Sequence, residues 1–565
     1  MNRVSKPRSF LKHIEGVAYF LALWSFLVLF LEPIISYMTN NYHMVELVTA
    51  LANILVLSLA ILNRVFLGEL KERRNQVLLD LAMLLLGGLL MFYQAKFVIF
   101  FLLIRQTYFI VQFFLFKAFE GRLYKMLTDN PPVSLMLSFA FVIFVGTIML
   151  MLPAASASNQ VTPFVDALFT STSATCVTGL IVYDTGSYFS TFGQLVILFL
   201  IQIGGLGIMT VSTAFALIMG QRLNLKLENV MHKVVGEVER LDVFQLLKNI
   251  VLVTVLIEAV GAMILFFKFT TTMNPSTALY SSIFHSISAF CNAGFSLFPQ
   301  SLMDYVDSPL INFTITGLIL LGGIGFAVLI DLYRYVSKAD KVRKLNLHTK
   351  IVLSTTGLLL LLGFITFYIA EYHGLMEGFS INRRLLSSWF QSVTTRTAGF
   401  NTLDIGGLSS ASVLMFLVLM FIGASPGSTG GGIKTTTFAV LVLSVASMLR
   451  GKRELSVFNR KLSLTNHREA TSLMTLAGSI IFITVFLLLL IETKPFEKII
   501  FEAISAFGTV GLSMGITSSL SNAGKTLITL LMYMGRIGPL TMIYALSMRK
   551  RQANITYAEE KIAIG

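Results

Sequence analysis

FGTVGL, at residues 507–512, occurs in three variant copies earlier in the chain: TCVTGL at 175–180, FCNAGF at 290–295 and TRTAGF at 395–400. Aligned on the shared glycine, Gly179, Gly294, Gly399 and Gly511 stand 115, 105 and 112 residues apart. An aromatic precedes each glycine by ten residues (Phe169, Phe284, Trp389, Phe501), and a small residue precedes it by five (Ala174, Ala289, Thr394, Ala506). A near-constant period that carries its flanks with it marks an internal repeat.

Working outward, each loop lies between apolar stretches on the scale of the ~20 residues that cross a bilayer as a helix. Of 565 residues, 55% are hydrophobic and only 13% charged, which points to a bilayer rather than water as solvent. Each unit reads as a span, a shorter semi-polar segment, a glycine-centred loop and a second span, over 133–219, 248–332, 351–449 and 470–548. Four more apolar stretches precede them, at 17–38, 44–63, 78–94 and 97–117. The predicted fold is an all-α integral membrane protein, with four helix–pore loop–helix repeats in pseudo-fourfold arrangement behind about four additional transmembrane helices. The expected divisions are 1–130 for the leading spans, 131–220, 221–335, 336–450 and 451–548 for the repeats, and 549–565 for a tail.

A formal charge of +14 raises nucleic acid as a partner, but that needs basic residues gathered on a soluble face. Here they fall in short runs between apolar stretches. Placing the amino terminus in the cytoplasm puts 32 of the 43 Lys and Arg on the inner side and seven on the outer. The excess predicts cytoplasmic termini and outward-facing loops. The basic start leads into an apolar stretch too long for a signal-peptide core, so it reads as a retained span. Cys176 and Cys291 lack metal-site spacing and read as small apolar filler. No nucleotide fingerprint and no metal-spaced His/Glu cluster is present, so an enzyme is not expected.

Irregular backbone at membrane depth is tolerated where protein buries it or water lines it. A filter for a hard monovalent cation replaces the hydration shell with carbonyls, and glycine lets successive peptides turn their oxygens to one axis. The segments before the loops, such as 164–174 and 495–506, are long enough for half-helices, whose carboxyl ends aim negative dipole at a cation.

TVG within FGTVGL, together with QIGGLGIMT (202–210), LLGGIGF (320–326), LNLHTK (345–350), SPGSTGGGIKTTT (425–437) and MGRIGPLTM (534–542), resembles the Trk/Ktr/HKT superfamily of potassium transporters. The resemblance covers residues 130–548. It implies potassium coordination by Val177, Thr178, Gly179 and Leu180; Asn292, Ala293, Gly294 and Phe295; Thr397, Ala398, Gly399 and Phe400; and Thr509, Val510, Gly511 and Leu512. One shared glycine per loop, against two in the potassium-channel signature, predicts weaker selectivity over sodium.

The second span of repeat three is interrupted by Gly423, Ala424, Ser425, Pro426, Gly427, Ser428, Thr429, Gly430, Gly431 and Gly432, followed by Lys434. No membrane helix survives that run. By resemblance the run is an intramembrane gate, with Arg536 projecting toward it as an electrostatic barrier. Intramembrane charges are functional candidates: Lys434 is expected to reach polar groups of the broken segment, and Arg396 to turn outward and brace loop carbonyls. His285 and Glu258 read as satisfied buried polar groups. The glycine clusters at 204–207 and 322–325 read as close helix packing.

The resemblance further implies a homodimer in membrane lipid, in the bacterial inner membrane. It implies a separate nucleotide-binding cytoplasmic subunit docked on the basic loops 222–248, 334–350 and 450–468, with sodium as a modulator and no enzymatic cofactor. The leading spans depart from the family: Arg105 stands alone in its span, so packing or assembly is expected there rather than voltage sensing. The competing reading is a twelve-span, ion-coupled secondary transporter with alternating access, whose symmetry would be twofold.

Overall fold

The repeat period resolves into four groups of helices in a computed structural model, which describes residues 131–207, 243–337, 344–451, 454–538 and 541. The leading spans, with Arg105, and residues 222–242, 338–343 and 452–453 of the basic loops lie outside the described residues. The first group holds α1 (Pro131–Met151), α2 (Phe164–Thr175), the one-turn α3 (Thr185–Tyr188) and α4 (Thr191–Gly205). The second holds α5 (Val243–Phe269), α6 (Pro275–Phe290), α7 (Pro309–Gly323) and α8 (Phe326–Ser337). The third holds α9 (Leu347–Ala370), α10 (Ile381–Thr394), α11 (Ser410–Phe421) and α12 (Thr435–Leu449). The fourth holds α13 (Leu464–Ile491), α14 (Phe496–Gly508) and α15 (Asn522–Ile537). An antiparallel hairpin, β1 (Ser456–Val457) and β2 (Arg460–Lys461), joins the last two groups.

Local chemistry sets these boundaries. Ser190, Ser380, Ser409, Ser463 and Ser521 each accept a backbone N–H at the start of a helix, which satisfies a donor the helix cannot. Prolines open α6 and α7 and immediately precede α2 and α14, where a missing N–H costs nothing.

The packing is inverted relative to a water-soluble bundle. Long outer helices show apolar side chains to the surroundings: Leu256 and Phe267 on α5, Ile369 on α9, and Phe482 and Leu490 on α13. The short helices bury hydroxyls instead, with Thr170, Ser171, Thr172, Ser173 and Thr175 all enclosed on α2. Lys248–Phe269, Leu347–Ala370 and Leu464–Ile491 are each long and apolar enough to cross a membrane. Hydrocarbon outside and hydrogen-bonding groups inside is the arrangement a bilayer solvent selects.

Hydroxyls also tie short helices to outer ones. Ser171 donates to the Ile143 carbonyl at 2.7 Å, Ser286 to Glu258 at 2.6 Å and Ser392 to Leu360 at 2.7 Å. Three residues beyond each carbonyl stands Gly146, Gly261 or Gly363, where a β-carbon would fall 2.5–2.6 Å from the same hydroxyl oxygen. Repeat four uses Ala477 and Ala503, buried in one apolar cluster.

The second helices differ from the unbroken spans expected in repeats one, two and four. Helix α4 stops at Gly205, α15 stops at Ile537, and α7 and α8 meet at a 102° bend. Gly207, Gly325 and Gly538 carry φ of 92°, 95° and 87°, so the glycine clusters turn the chain as well as pack it. Packing is present too, since a β-carbon on Gly322 would collide with the Phe290 carbonyl, and one on Gly204 with the Thr175 carbonyl.

Candidate cation pathway

Each short helix ends at a loop with one repeated backbone. The residue two before the shared glycine is left-handed in all four: Val177 at φ 57°, Asn292 at 59°, Thr397 at 67° and Thr509 at 50°. The glycines follow at 92°, 70°, 80° and 90°. Left-handed geometry at a β-branched residue is uncommon and costs on the order of 1–3 kcal/mol, so such residues persist where their surroundings over-determine them. Here the short helix does so by binding the loop amides. Thr178 donates to Ser173 O at 2.7 Å, Ala293 to Ser288 O at 2.7 Å, Ala398 to Thr394 O at 3.0 Å and Val510 to Ser505 O at 2.9 Å. Gly179 and Gly511 donate to the hydroxyls of Ser173 and Ser505, both at 3.1 Å.

With the amides turned toward the helices, one carbonyl of each loop stands against the glycine of a neighbouring loop. A β-carbon on Gly294 would lie 2.7 Å from Ala398 O, and one on Gly399 2.5 Å from Val510 O. On Gly179 it would collide with Ala293 O, and on Gly511 with Thr178 O. Each loop therefore touches the next, and the fourth touches the first. The result is a closed ring in which the four glycines stand against the carbonyls of Thr178, Ala293, Ala398 and Val510. Val177, Leu180, Asn292, Phe295, Thr397, Phe400, Thr509 and Leu512 are all at most 2% exposed. Ser288 and Thr394 hydroxyls hold the Phe295 and Phe400 carbonyls at 2.8 and 2.5 Å.

Beneath the ring lies the segment from Gly423 to Lys434. The Gly431 amide donates to the Thr509 hydroxyl at 2.9 Å, and a β-carbon on Gly430 would collide with the Thr397 hydroxyl. Thr397 is hydrogen-bonded in turn to the Asn292 side chain at 3.2 Å. Ser425 and Thr429 amides donate to Gly323 and Gly322 carbonyls at 3.0 and 3.2 Å, and Gly427 O accepts from Phe326 at 3.0 Å. The segment thus docks on the bend between α7 and α8. Ala424 N meets Gly431 O at 3.3 Å, closing the run on itself, and Thr435 bonds Ser425 at 3.0 Å.

Three cations bear on this segment. Arg536, 6% exposed, donates to the carbonyls of Thr429 and Gly204, spanning the segment and repeat one. Lys434 Nζ donates to Gly430 O at 2.6 Å. Arg396 Nη2 donates to Gly423 O at 3.2 Å, so it reaches the segment rather than the loop carbonyls it was expected to brace. Arg396 also lines a small cavity with Thr356, Gly323 and Ala424. Pro426 and Ser428 are less enclosed, with Ser428 bonded to Ser425 O at 2.5 Å.

His285 is fully buried between Ser281 O at 2.7 Å and Ser296 Oγ at 3.0 Å. Glu258 takes Gln202 Nε2 at 3.3 Å, and the Cys291 thiol donates to it at 3.8 Å, so Cys291 has polar neighbours beyond a filler role. Cys176 and Cys291 are free and buried. Among the described residues no three His, Cys, Asp or Glu gather as a metal site. The sequence reading missed the serine–glycine ties at Ser171, Ser286 and Ser392. A glycine 33 to 36 residues before each loop glycine was the available signal, masked by the many other glycines in the chain.

Residues 102–557 match the TrkH family, described as cation transport protein. The chain is 41% identical to Ktr system potassium uptake protein B of Bacillus subtilis, over 79% of this chain and 99% of that protein. It is 38% identical to the potassium/sodium uptake protein NtpJ of Enterococcus hirae, over 77% and 97% of the two chains. The crystal structure of TrkH from Vibrio parahaemolyticus shares its fold, with a TM-score of 0.62 at 18% identity, covering 95% of this chain and 98% of that one. None of these descriptions is enzymatic, and the resemblance read from the motifs holds. With most of its length matched and near full-length relatives at about 40% identity, the chain belongs to the TrkH family of cation transport proteins.

Proposed function

We propose that this chain is the membrane subunit of a potassium uptake system, and that potassium crosses through a filter of backbone carbonyls supplied by the four glycine loops. The observation that carries the reading is the closed ring of Thr178, Ala293, Ala398 and Val510 oxygens against four glycines. Carbonyls in that number and on one axis substitute for the water of a dehydrating cation. The short helices add the partial negative charge of their carboxyl ends. The similar B. subtilis and E. hirae proteins are named for uptake of potassium and of potassium with sodium, which favours potassium as permeant ion and sodium as modulator.

The segment at 423–434 acts as the gate. It occupies the space beneath the ring with backbone alone at Gly430 and Gly431, and Arg536 holds it by its Thr429 carbonyl. A guanidinium in that position repels cations until the segment moves. The termini lie in the cytoplasm, the loops face outward, and the chain works as a homodimer in the plasma membrane. A nucleotide-binding cytoplasmic subunit docks on the basic inner loops. An alternating-access carrier of two halves has no use for a fourfold ring, and the ring favours a pore.

The test is rubidium uptake into liposomes holding the purified chain, with external sodium varied. Wild type should take up rubidium in preference to sodium, and Gly511→Ser should lose that preference. Unchanged flux and unchanged preference in Gly511→Ser would overturn the filter.

A further inference from the structure

Each glycine loop is spanned by a polar link from its short helix to the chain leaving the loop. Tyr183 donates to Asp166 Oδ2 at 2.8 Å in repeat one, and Gln391 Nε2 to Thr402 Oγ1 at 3.5 Å in repeat three. His285 Nε2 and Ser296 Oγ lie 3.0 Å apart in repeat two, and Ser513 donates to Glu502 Oε2 at 2.7 Å in repeat four. Only the last two share a register. His285 and Glu502 each stand nine residues before the loop glycine, and Ser296 and Ser513 each stand two after it.

The local turns match as well. Ser296 Oγ accepts the Phe298 amide at 3.0 Å, and Ser513 Oγ accepts the Gly515 amide at 3.1 Å, two residues on in both cases. Behind each clasp the helix residue is itself fixed. His285 is held by Ser281 O at 2.7 Å and stacks on Phe298, with centroids 4.5 Å apart, and Glu502 takes the Thr517 hydroxyl on its second oxygen. Both are at most 1% exposed. In repeats one and three the same positions hold Thr170 with Ile181, and Phe390 with Asn401. The Thr170 hydroxyl turns back onto its own helix, donating to Asp166 O at 2.9 Å.

Repeats two and four are not neighbours in the ring, since each loop touches only the next in chain order, so the matched clasps lie on opposite sides of its axis. We propose that His285 and Glu502 are positioning residues that, through Ser296 and Ser513, stiffen the ring along one diagonal and so determine its preference for potassium over sodium. The proposal rests on the filter reading above. Sodium is the smaller ion, and carbonyls must close further to replace its water. A loop pinned two residues beyond its glycine resists that closure, whereas an unpinned one follows the ion inward.

The experiment measures rubidium and sodium uptake in parallel by liposomes containing the full chain. Ser296→Ala with Ser513→Ala should lower the rubidium-to-sodium ratio by about tenfold, the equivalent of one modest hydrogen-bonding energy at the ring. Ser513→Thr in place of Ser513→Ala, which keeps the hydroxyl, should retain most of the wild-type ratio. Thr170→Val, at the same register in repeat one, should leave the ratio as in wild type. If the alanine variants do not reach the membrane, Glu502→Gln is read on the same ratio, keeping the volume and one acceptor oxygen. A wild-type ratio in the alanine variants or in Glu502→Gln, while Gly511→Ser alters it, overturns the clasps and leaves the filter standing. A wild-type ratio in Gly511→Ser as well overturns the filter, and the clasps with it.

Discussion

Val177, Asn292, Thr397 and Thr509 share a left-handed backbone although three kinds of side chain occupy the position, whereas the segment at 423–434 has no counterpart at such length among the described residues of the other repeats. The ring repeats one conformation with four sequences. The layer below it is uneven: the second helices all break at glycines, but one group supplies the segment, another the arginine, and a third the bend on which the segment rests. In the proposed filter, regularity suits the first because a cation ligated from all sides needs equivalent oxygens, and a main chain provides them whatever the side chains are. In the proposed gate, irregularity suits the second because a barrier that must move cannot be equally held from four sides. The two layers are thus coded differently, the upper one in dihedral angles and the lower one in particular residues.

That contrast can be broken from either side. The largest effect is expected from a β-carbon in the ring: Gly399→Ala would place it 2.5 Å from Val510 O at a φ of 80°, where neither backbone can yield. The rubidium preference over sodium should fall by about a hundredfold, near 3 kcal/mol, in paired uptake assays. Next comes the lower layer. Arg536→Gln loses the guanidinium that bridges Thr429 and Gly204, and basal uptake should rise by about tenfold with the ion preference kept. Shortening 427–432 should act in the same direction, and reduced uptake from correctly inserted protein would count against the gate. Smaller still is Thr509→Val, which keeps the loop's shape but removes the acceptor of the Gly431 amide. About 1 kcal/mol is at stake, so basal uptake should rise by roughly fivefold.

The smallest effect on transport lies outside both layers, in the turn after α9. Glu371 accepts the Leu375 and Ser409 amides at 3.0 and 2.9 Å and the Ser409 hydroxyl at 2.7 Å. Burial alone raises its carboxyl, but these bonds and one from Ser412 outweigh it and leave it below the ordinary value. The stabilisation is fully present above the unfolded carboxyl's pKa, about 4, and disappears as pH falls through the lower folded value. Glu371→Gln should therefore lower thermal stability near pH 7, by about 1–2 kcal/mol, and match wild type in strong acid. Ion preference should not change, which separates scaffold from ring.

Much of this arrangement was legible in the chain itself. The glycine period placed all four loops, and the glycine-rich run after Gly423 located the break in repeat three, because both depend on residues whose backbone freedom is written in their identity. The bend between α7 and α8 was not legible, since GGIG serves equally for close packing and for a turn, and here Gly322 packs while Gly325 turns. Arg396 misled for a related reason. Its neighbours in sequence are loop residues, but its reach of several ångströms takes it to the Gly423 carbonyl, 27 residues away. The clasps at His285 and Glu502 were hidden because matched geometry is carried there by unmatched chemistry, an imidazole in one repeat and a carboxylate in the other.

The oxygens that face the ring belong to a threonine, two alanines and a valine, and none of the four contributes an atom of its side chain to it. Those letters are consequently exchangeable for others that fit the same buried space, with no oxygen lost from the ring. The glycines beside them are not. A damaging inherited change in this region should therefore be recognised by what it does to the space around a neighbour's peptide, and conservative replacement by residue type is a poor guide to harm.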